Sequence, residues 1–150
     1  KHESIEYVGI SGNHDPDSNQ FLTVALMMRY QDDPRVDVIW NPAKMWCTTF
    51  GKNLLAAHHG DKVTPQRLAM QVADEFSPGW GKTYWRYLDT GHIHHDSAKD
   101  IGGIFWESHR TLASRDAYAT GSAFTSRKTL KAITVHREKG EIVRNTVGVQ

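Results

Sequence analysis

Disulfides, membrane-spanning runs and a strong net charge are all missing from this sequence of 150 residues. Its single cysteine, Cys47, cannot form an internal disulfide, which is typical of proteins in a reducing compartment. The longest apolar run, FLTVALMM, is far shorter than the ~20 residues that a membrane-spanning helix needs. The opening stretch KHESIEYVGISGNHD lacks the apolar core of a signal peptide. We therefore expect a cytoplasmic protein that makes no membrane contact.

The net charge is only +1, but it is distributed unevenly along the chain. Residues 1–77 carry seven Lys and Arg against ten Asp and Glu, whereas residues 78–137 carry nine against five. A basic second half is compatible with an anionic substrate, and an ordinary solvated surface is the alternative. The same two interpretations apply to a set of cations that could contact a phosphate backbone: Arg110, Arg115, Arg127 and Lys128.

Local patterns predict one α/β domain over residues 1–150. IEYVGIS reads as a strand, and the following stretch predicts a helix capped at Asp17 or Ser18. MWCTTF and NLLAAH are joined by Gly-Lys, which predicts a hairpin. Thr64 and Pro65 occupy the N-cap and first positions of the clearest helix, TPQRLAMQVADEF. TYWRYLDT predicts a further strand, and the last part of the chain predicts a second hairpin.

Three of the predicted strands end in the same way, with histidine beside glycine. The stretches are VGISGNHD, LLAAHHGD and YLDTGHIHH, and they contain six of the nine histidines. Glycine permits a tight turn where a strand stops, and α/β folds place ligands at strand ends. Neutral imidazole is a common metal ligand, so three such clusters together favour a transition-metal site. A lone histidine beside glycine is, by contrast, usually a turn or surface residue.

These motifs resemble those of the calcineurin-like metallophosphoesterases. Gly12 to Asp15 corresponds to the family's Gly-Asn-His-Asp motif, His59-Gly60 to its His-Gly motif, and Gly91 to His94 to its Gly-His-x-His motif, all in the family's order. The resemblance implies a β-sandwich flanked by helices. It also implies hydrolysis of phosphoester bonds at two divalent transition metals, Mn, Fe, Zn or Ni, with Mn favoured.

The resemblance further implies a role for each site residue. Asn13, His59 and His92 would bind one metal, and His94 would bind the other. His14 would contact the phosphate and protonate the leaving oxygen, with Asp15 supporting it. Such chemistry is sensible in itself, because two cations about 4 Å apart can activate water and neutralise phosphoryl oxygens. A neighbouring imidazole suits the leaving group, since its pKa lies near neutrality.

Two of the family's motifs, Asp-x-His and Gly-Asp-x-x-Asp, do not precede Gly12. We expect the chain to be the C-terminal part of a metallophosphoesterase domain, with those motifs upstream of Lys1. A second polypeptide that supplies them and a degenerate site are the alternatives. The favoured substrate is a phosphodiester, nucleic acid included. A phosphomonoesterase and a non-catalytic remnant that binds metal or phosphate are the other functions considered. A structural zinc site is disfavoured, because Cys47 belongs to none of the clusters.

One ambiguity remains within AHHGD. Strand alternation points His58 and His59 to opposite faces, so that only one can be a ligand. His59 is selected because it abuts the glycine. The remaining histidines are expected on the surface: His2, His95, His109 and His136.

Overall fold

The computed structural model describes residues 2–112 and 127–149. The elements follow one another as β1 (Ile5–Val8), α1 (Pro16–Tyr30), β2 (Val36–Ile39), β3 (Met45–Phe50), β4 (Asn53–His58), α2 (Pro65–Glu75), α3 (Ser77–Lys82), β5 (Trp85–Thr90), β6 (Ser97–Ile101), β7 (Ile104–Ser108), β8 (Lys128–His136) and β9 (Gly140–Val149). A central mixed sheet flanked by helices makes the protein α/β, which confirms the expected fold class. No helix within the described ranges is long and apolar enough to cross a membrane.

The central sheet has five strands in the order β3, β4, β5, β7, β6. Its three inner strands, β4, β5 and β7, are parallel, and the edge strands β3 and β6 are antiparallel to their neighbours. Parallel strands end at a common edge of a sheet. The segments after His58, Thr90 and Ser108 therefore emerge side by side, and this edge is called the C-terminal edge below.

One face of the central sheet packs on α2. Thr64 caps this helix by accepting a hydrogen bond from the Arg67 amide, and Pro65 occupies its first position, as predicted. Leu68 and Val72 point from α2 into the core, where they meet the strand residues Leu54, Leu88 and Ile104. These five side chains are at most 1% exposed, and burying each contributes about 1.5–3 kcal/mol.

The hairpin of β8 and β9 is associated with the opposite face of the sheet. Its turn lies over the starts of β4 and β5, where the buried Asn53 donates hydrogen bonds to the carbonyls of His136 and Arg137. Tyr87 accepts a hydrogen bond from the Glu141 amide at 2.8 Å. A Cβ on Gly140 would come within 2.7 Å of both Tyr87 and Trp85, so this turn needs glycine. The open end of the hairpin consequently reaches toward the C-terminal edge.

The parallel pair of β1 and β2 forms a separate small unit with α1. Asn19 of α1 contacts β1 closely enough that a Cβ on Gly9 would lie 2.4 Å from its side-chain oxygen. The predicted cap at Asp17 or Ser18 is wrong, because the helix begins at Pro16 with Asp15 in the N-cap position. Several large apolar side chains of this helix are exposed rather than packed, among them Phe21 at 76% and Met28 at 70%.

The amino-acid sequences of α3 and β6 do little to predict the secondary structure that these two elements form. The α3 sequence, SPGWGK, contains two glycines, which are poor helix formers. The β6 sequence, SAKDI, is short and charged, and such a sequence suits an edge strand that pairs on one side only. Pairing with β7, rather than local propensity, makes β6 a strand.

Candidate metal and phosphate site

Four loops meet at the C-terminal edge of the central sheet or against it. Those after β4, β5 and β7 follow the parallel strands directly. The loop after β1 reaches this edge through a contact between Asn13 and His59. The amide of Gly91 donates to the carbonyl of His59 at 3.0 Å, and the amide of His109 donates to the carbonyl of Thr90 at 2.8 Å. These backbone bonds hold the loops after β4, β5 and β7 in register with one another.

Asn13 and His59 are in direct contact although 46 residues separate them in sequence. The side-chain oxygen of Asn13 lies 2.8 Å from Nε2 of His59. This is a hydrogen-bond distance, with the amide oxygen of Asn13 as the acceptor. Two ligands at right angles on an octahedral metal ion, each about 2.0–2.1 Å from it, are also about 2.9 Å apart, so a metal could replace this bond with little movement of either atom.

His92 lies next to this pair. Its ring centroid is 5.2 Å from that of His59, and the two rings meet edge to face. His94 is half-buried in the same loop. Within residues 2–112 and 127–149, His59, His92 and His94 do not form a group whose ligand atoms all lie within 4.8 Å of one another.

The backbone at this edge is strained. Among the described residues other than glycine, left-handed φ angles occur at Lys62, His92 and His94, with values of 61°, 63° and 57°. Side chains with a Cβ avoid this region, and each such residue costs about 1–3 kcal/mol when surrounding structure enforces it. All three positions lie in the loops after β4 and β5. Strain concentrated beside the paired histidines is typical of a functional site.

The loop that carries Asn13 is shaped by its neighbours Gly12 and Asp15. Asp15 accepts a hydrogen bond from the amide of Gly12 at 2.7 Å. A Cβ on Gly12 would lie 2.8 Å from this carboxylate and 2.9 Å from Cε1 of His59. Glycine is thus required by space, because nothing larger allows the loop to approach His59. His14 is exposed on the same loop.

His58 and His59 point to different surroundings, as strand alternation predicts. His58 is only 8% exposed, and its Nδ1 accepts a hydrogen bond from the amide of Gly60 at 2.9 Å. Burial lowers the pKa of His58. Its ring nitrogen is therefore used to hold the turn after β4, whereas His59 contacts Asn13 and His92.

Burial and the proximity of His92 lower the pKa of His59. The imidazole is thus kept neutral, which is the form that binds a metal. Behind it lies Asp61, which is 4% exposed and 3.4 Å from the ammonium of Lys44. Burial opposes ionisation of Asp61, but the hydrogen bond and charge of Lys44, with the nearby His59 and His92, hold its pKa below the usual range.

A second cluster, Asp89, Glu107 and His109, was not expected from the sequence. Its ligand atoms lie within 4.8 Å of one another, a spacing that can hold a metal ion. His109, expected on the surface, is half-buried with its side chain 28% exposed. Its Nε2 lies 2.6 Å from Asp89, and its Nδ1 is buried without a hydrogen-bond partner among the described residues. Asp89 lies opposite Glu107 where β5 pairs with β7, and this pairing creates the cluster. The residues near each of them in the sequence do not predict which strands will pair.

Protein cations already neutralise much of this second cluster. Glu107 accepts hydrogen bonds from Lys131 and from Arg144, which binds both of its carboxylate oxygens. Burial opposes ionisation of Glu107, but these bonds outweigh it and lower its pKa. An added cation would have to displace the side chains that hold the hairpin to the sheet. The cluster therefore fits an ion-pair network between β7 and the hairpin better than a metal centre.

No protein-family model and no curated protein matches this sequence. Solved structures show a partial likeness. A single mutant of Vps29 from Entamoeba histolytica is 14% identical with a TM-score of 0.44, over 76% of this chain and 65% of that one. Wild-type Vps29 from the same organism, complexed with zinc, is 13% identical with a TM-score of 0.40, over 78% and 66%. A predicted phosphoesterase from Streptococcus pneumoniae is 12% identical with a TM-score of 0.36, over 90% and 94%.

The chain thus spans slightly less than two thirds of the first of these Vps29 structures. Identities of 12–14% and TM-scores below 0.5 are too low to transfer a function. The side chains at the C-terminal edge are therefore the features of this chain that bear on its function.

Proposed function

We propose that this chain carries part of the active site of a metal-dependent phosphoester hydrolase, which acts on phosphodiesters in preference to small monoesters. The observation that supports this most directly is the 2.8 Å approach of the Asn13 oxygen to Nε2 of His59, with the ring of His92 beside it. An amide oxygen and two imidazoles from three separate loops form a donor set suited to Mn²⁺ or Zn²⁺.

Each site residue has a proposed task. Asn13, His59 and His92 hold one metal ion, and His94 contributes to a second. Bound divalent metals would lower the pKa of water and neutralise the charge on the phosphoryl oxygens. His14 lies on the exposed side of the same loop and donates a proton to the leaving oxygen. Asp15 supports it through the loop, whose shape it sets by accepting the Gly12 amide.

The second metal position needs more ligands than His94. We propose that these come from Asp-x-His and Gly-Asp-x-x-Asp motifs, either in the same polypeptide before Lys1 or in a second chain. By this proposal the chain alone binds about one Mn²⁺ or Zn²⁺ weakly, and binding weakens further as its histidines protonate. Calorimetry that shows two tight sites on this chain would contradict it.

A second candidate function follows from the spacing of the histidines. His59, His92 and His94 do not converge within 4.8 Å in the described part of the chain. A protein that binds metal and phosphate without turnover would show this arrangement too. Hydrolysis distinguishes the two functions, because the non-catalytic protein binds Mn²⁺ but leaves an aryl phosphodiester intact.

The decisive experiment measures metal content and hydrolysis together, in a polypeptide that carries the upstream motifs. Bis(p-nitrophenyl) phosphate serves as the diester and p-nitrophenyl phosphate as the monoester, with Mn²⁺ present. His92→Ala should remove metal and activity together. His14→Ala should retain metal and lower turnover roughly 10²–10⁴-fold. His136→Ala is the control, because its ring lies at the far end of the hairpin, against the Glu138 amide.

The leaving group separates the proposed role of His14 from a general loss of activity. A substrate whose leaving alcohol is already a good anion needs little protonation, so His14→Ala should affect it least. Equal losses for good and poor leaving groups would show that His14 is not the proton donor. Monoesterase activity without diesterase activity would overturn the substrate preference.

A further inference from the structure

A basic groove opens beside the candidate metal site. It has a volume of about 580 Å³, and its lining includes Asp96, Arg110, Arg127, Lys128, Thr129 and Thr146. Asp96 follows His94 by two residues, and Arg110 follows β7 at the C-terminal edge. The other wall is the open end of the hairpin, where Lys128 pairs with Val149. One end of the groove is thus formed by the loop that carries His92 and His94.

The charge of the groove is positive even after its own ion pairs are counted. Asp96, the carboxylate in its lining, is bonded to Arg110 at 2.7 Å and to Lys131 at 2.8 Å. Arg127 and Lys128 form no ion pair with another described residue. Among the residues that the structure describes, the lining therefore contributes three cations against one carboxylate, and the two cations without a described carboxylate partner lie at the mouth of the hairpin.

We propose that this groove binds the backbone of a single-stranded nucleic acid, and that the phosphodiester adjacent to the bound segment lies at the metal site. This inference rests on the proposed hydrolase. Arg and Lys neutralise phosphates, and the exposed hydroxyl of Thr146 is the kind of group that donates to phosphate oxygens. A small diester would occupy the metal site alone. A polymer of phosphodiesters can place one phosphate at that site and the next ones in the groove. An acidic peptide has no phosphoester to place at the metal site, so it would lack that anchor.

A single strand fits better than a duplex. The groove has the size of a pocket for a small ligand, about 300–1,000 Å³, rather than of a surface that spans a helix. Its described lining contains no aromatic side chain, so base stacking contributes little there. Binding should accordingly depend on phosphates and salt, with little dependence on base sequence.

Fluorescence anisotropy of a labelled oligothymidylate tests this, with EDTA present so that no metal bridges the phosphates. The two cations without a carboxylate partner, Arg127 and Lys128, predict that log K falls with log salt with a slope of about −1.4, since single strands give about −0.7 per phosphate. Arg127→Gln together with Lys128→Gln should reduce the slope by about 1.4. If the parent protein and the double variant bind equally at 1 M salt, this difference in slope makes the affinity of the variant about 25-fold lower at 0.1 M salt.

Lys82→Gln together with Lys139→Gln is the matched control. It removes the same charge from exposed positions at the opposite edge of the sheet, before β5 and in the hairpin turn. An equal loss of affinity in this control would refute the groove. So would poly-L-glutamate binding as tightly as the oligonucleotide, or duplex DNA binding more tightly than the single strand.

The measurement in EDTA needs no hydrolysis. Absence of catalysis with intact oligonucleotide binding would count against the proposed hydrolase and leave the groove standing. Activity on the aryl diester without oligonucleotide binding would count against the groove alone. Circular dichroism of each variant shows whether it retains the fold, and a pair of single substitutions replaces the double variant if the latter unfolds.

Discussion

Gly12→Ala should weaken metal binding without unfolding the protein. The new methyl would meet the Asp15 carboxylate at 2.8 Å and Cε1 of His59 at 2.9 Å, closer than real Cβ contacts allow. Either the loop after β1 or the His59 ring must therefore move. Gly12 does not have a left-handed φ, so the cost comes from crowding alone, about 1–3 kcal/mol. A metal site tolerates distance changes of only about 0.2 Å, and we expect a roughly 10–100-fold loss of Mn²⁺ affinity.

Urea denaturation gives the free energy of unfolding, and calorimetric titration with Mn²⁺ gives the affinity. Gly81→Ala is the control, because a Cβ there meets nothing within 4 Å and lies inside α3. Alanine is a better helix former than glycine, so this control should be neutral or stabilising with unchanged metal affinity. If Gly12→Ala binds Mn²⁺ as tightly as the parent protein, the close packing of this loop on His59 does not set the site.

Three further predictions concern stability and reactivity. Glu107→Gln should cost about 1.5–3 kcal/mol at pH 7, because the Arg144 guanidinium loses a charged partner. The pKa of Glu107 is lowered in the fold, so its contribution to stability is present above its ordinary pKa of 4.5 and is lost as the pH falls through the folded value. The free energies of unfolding of the parent protein and the variant, from urea titrations, should therefore converge in acid. A difference in these free energies that does not change with pH would contradict the assignment. Thr64→Ala should cost about 1 kcal/mol in urea denaturation through loss of the bond to the Arg67 amide, and an unchanged midpoint would show that this 3.4 Å bond contributes nothing. Burial raises the pKa of Cys47 from 9.0 to about 11. Because the thiolate is the reactive form, iodoacetamide at pH 8 should react with Cys47 about 100-fold more slowly than with an unperturbed thiol. Rapid alkylation of the folded protein would be inconsistent with that burial.

The sequence by itself was enough for those features that depend on neighbouring residues. Thr64 and Pro65 mark the start of α2 because capping and a fixed proline φ act within one helical turn. The hairpin of β3 and β4 was predicted from its two-residue turn, and the α/β class from the mixture of periodicities. Glycine beside histidine at three strand ends was equally visible, since the strands themselves have local signatures.

Only the tertiary structure decided which of these residues touch. His58 and His59 are alike in sequence, and their different contacts arise because the loop after β1 reaches only the side of the chain on which His59 lies. His109 became a partner of Asp89 because β7 pairs with β5, and the thirteen residues from Gly91 to Gly103 separate these two strands in the sequence. The basic groove likewise required the hairpin to lie along the sheet with its open end beside Asp96. Contacts of this kind depend on strand order and packing, which no local pattern of residues encodes.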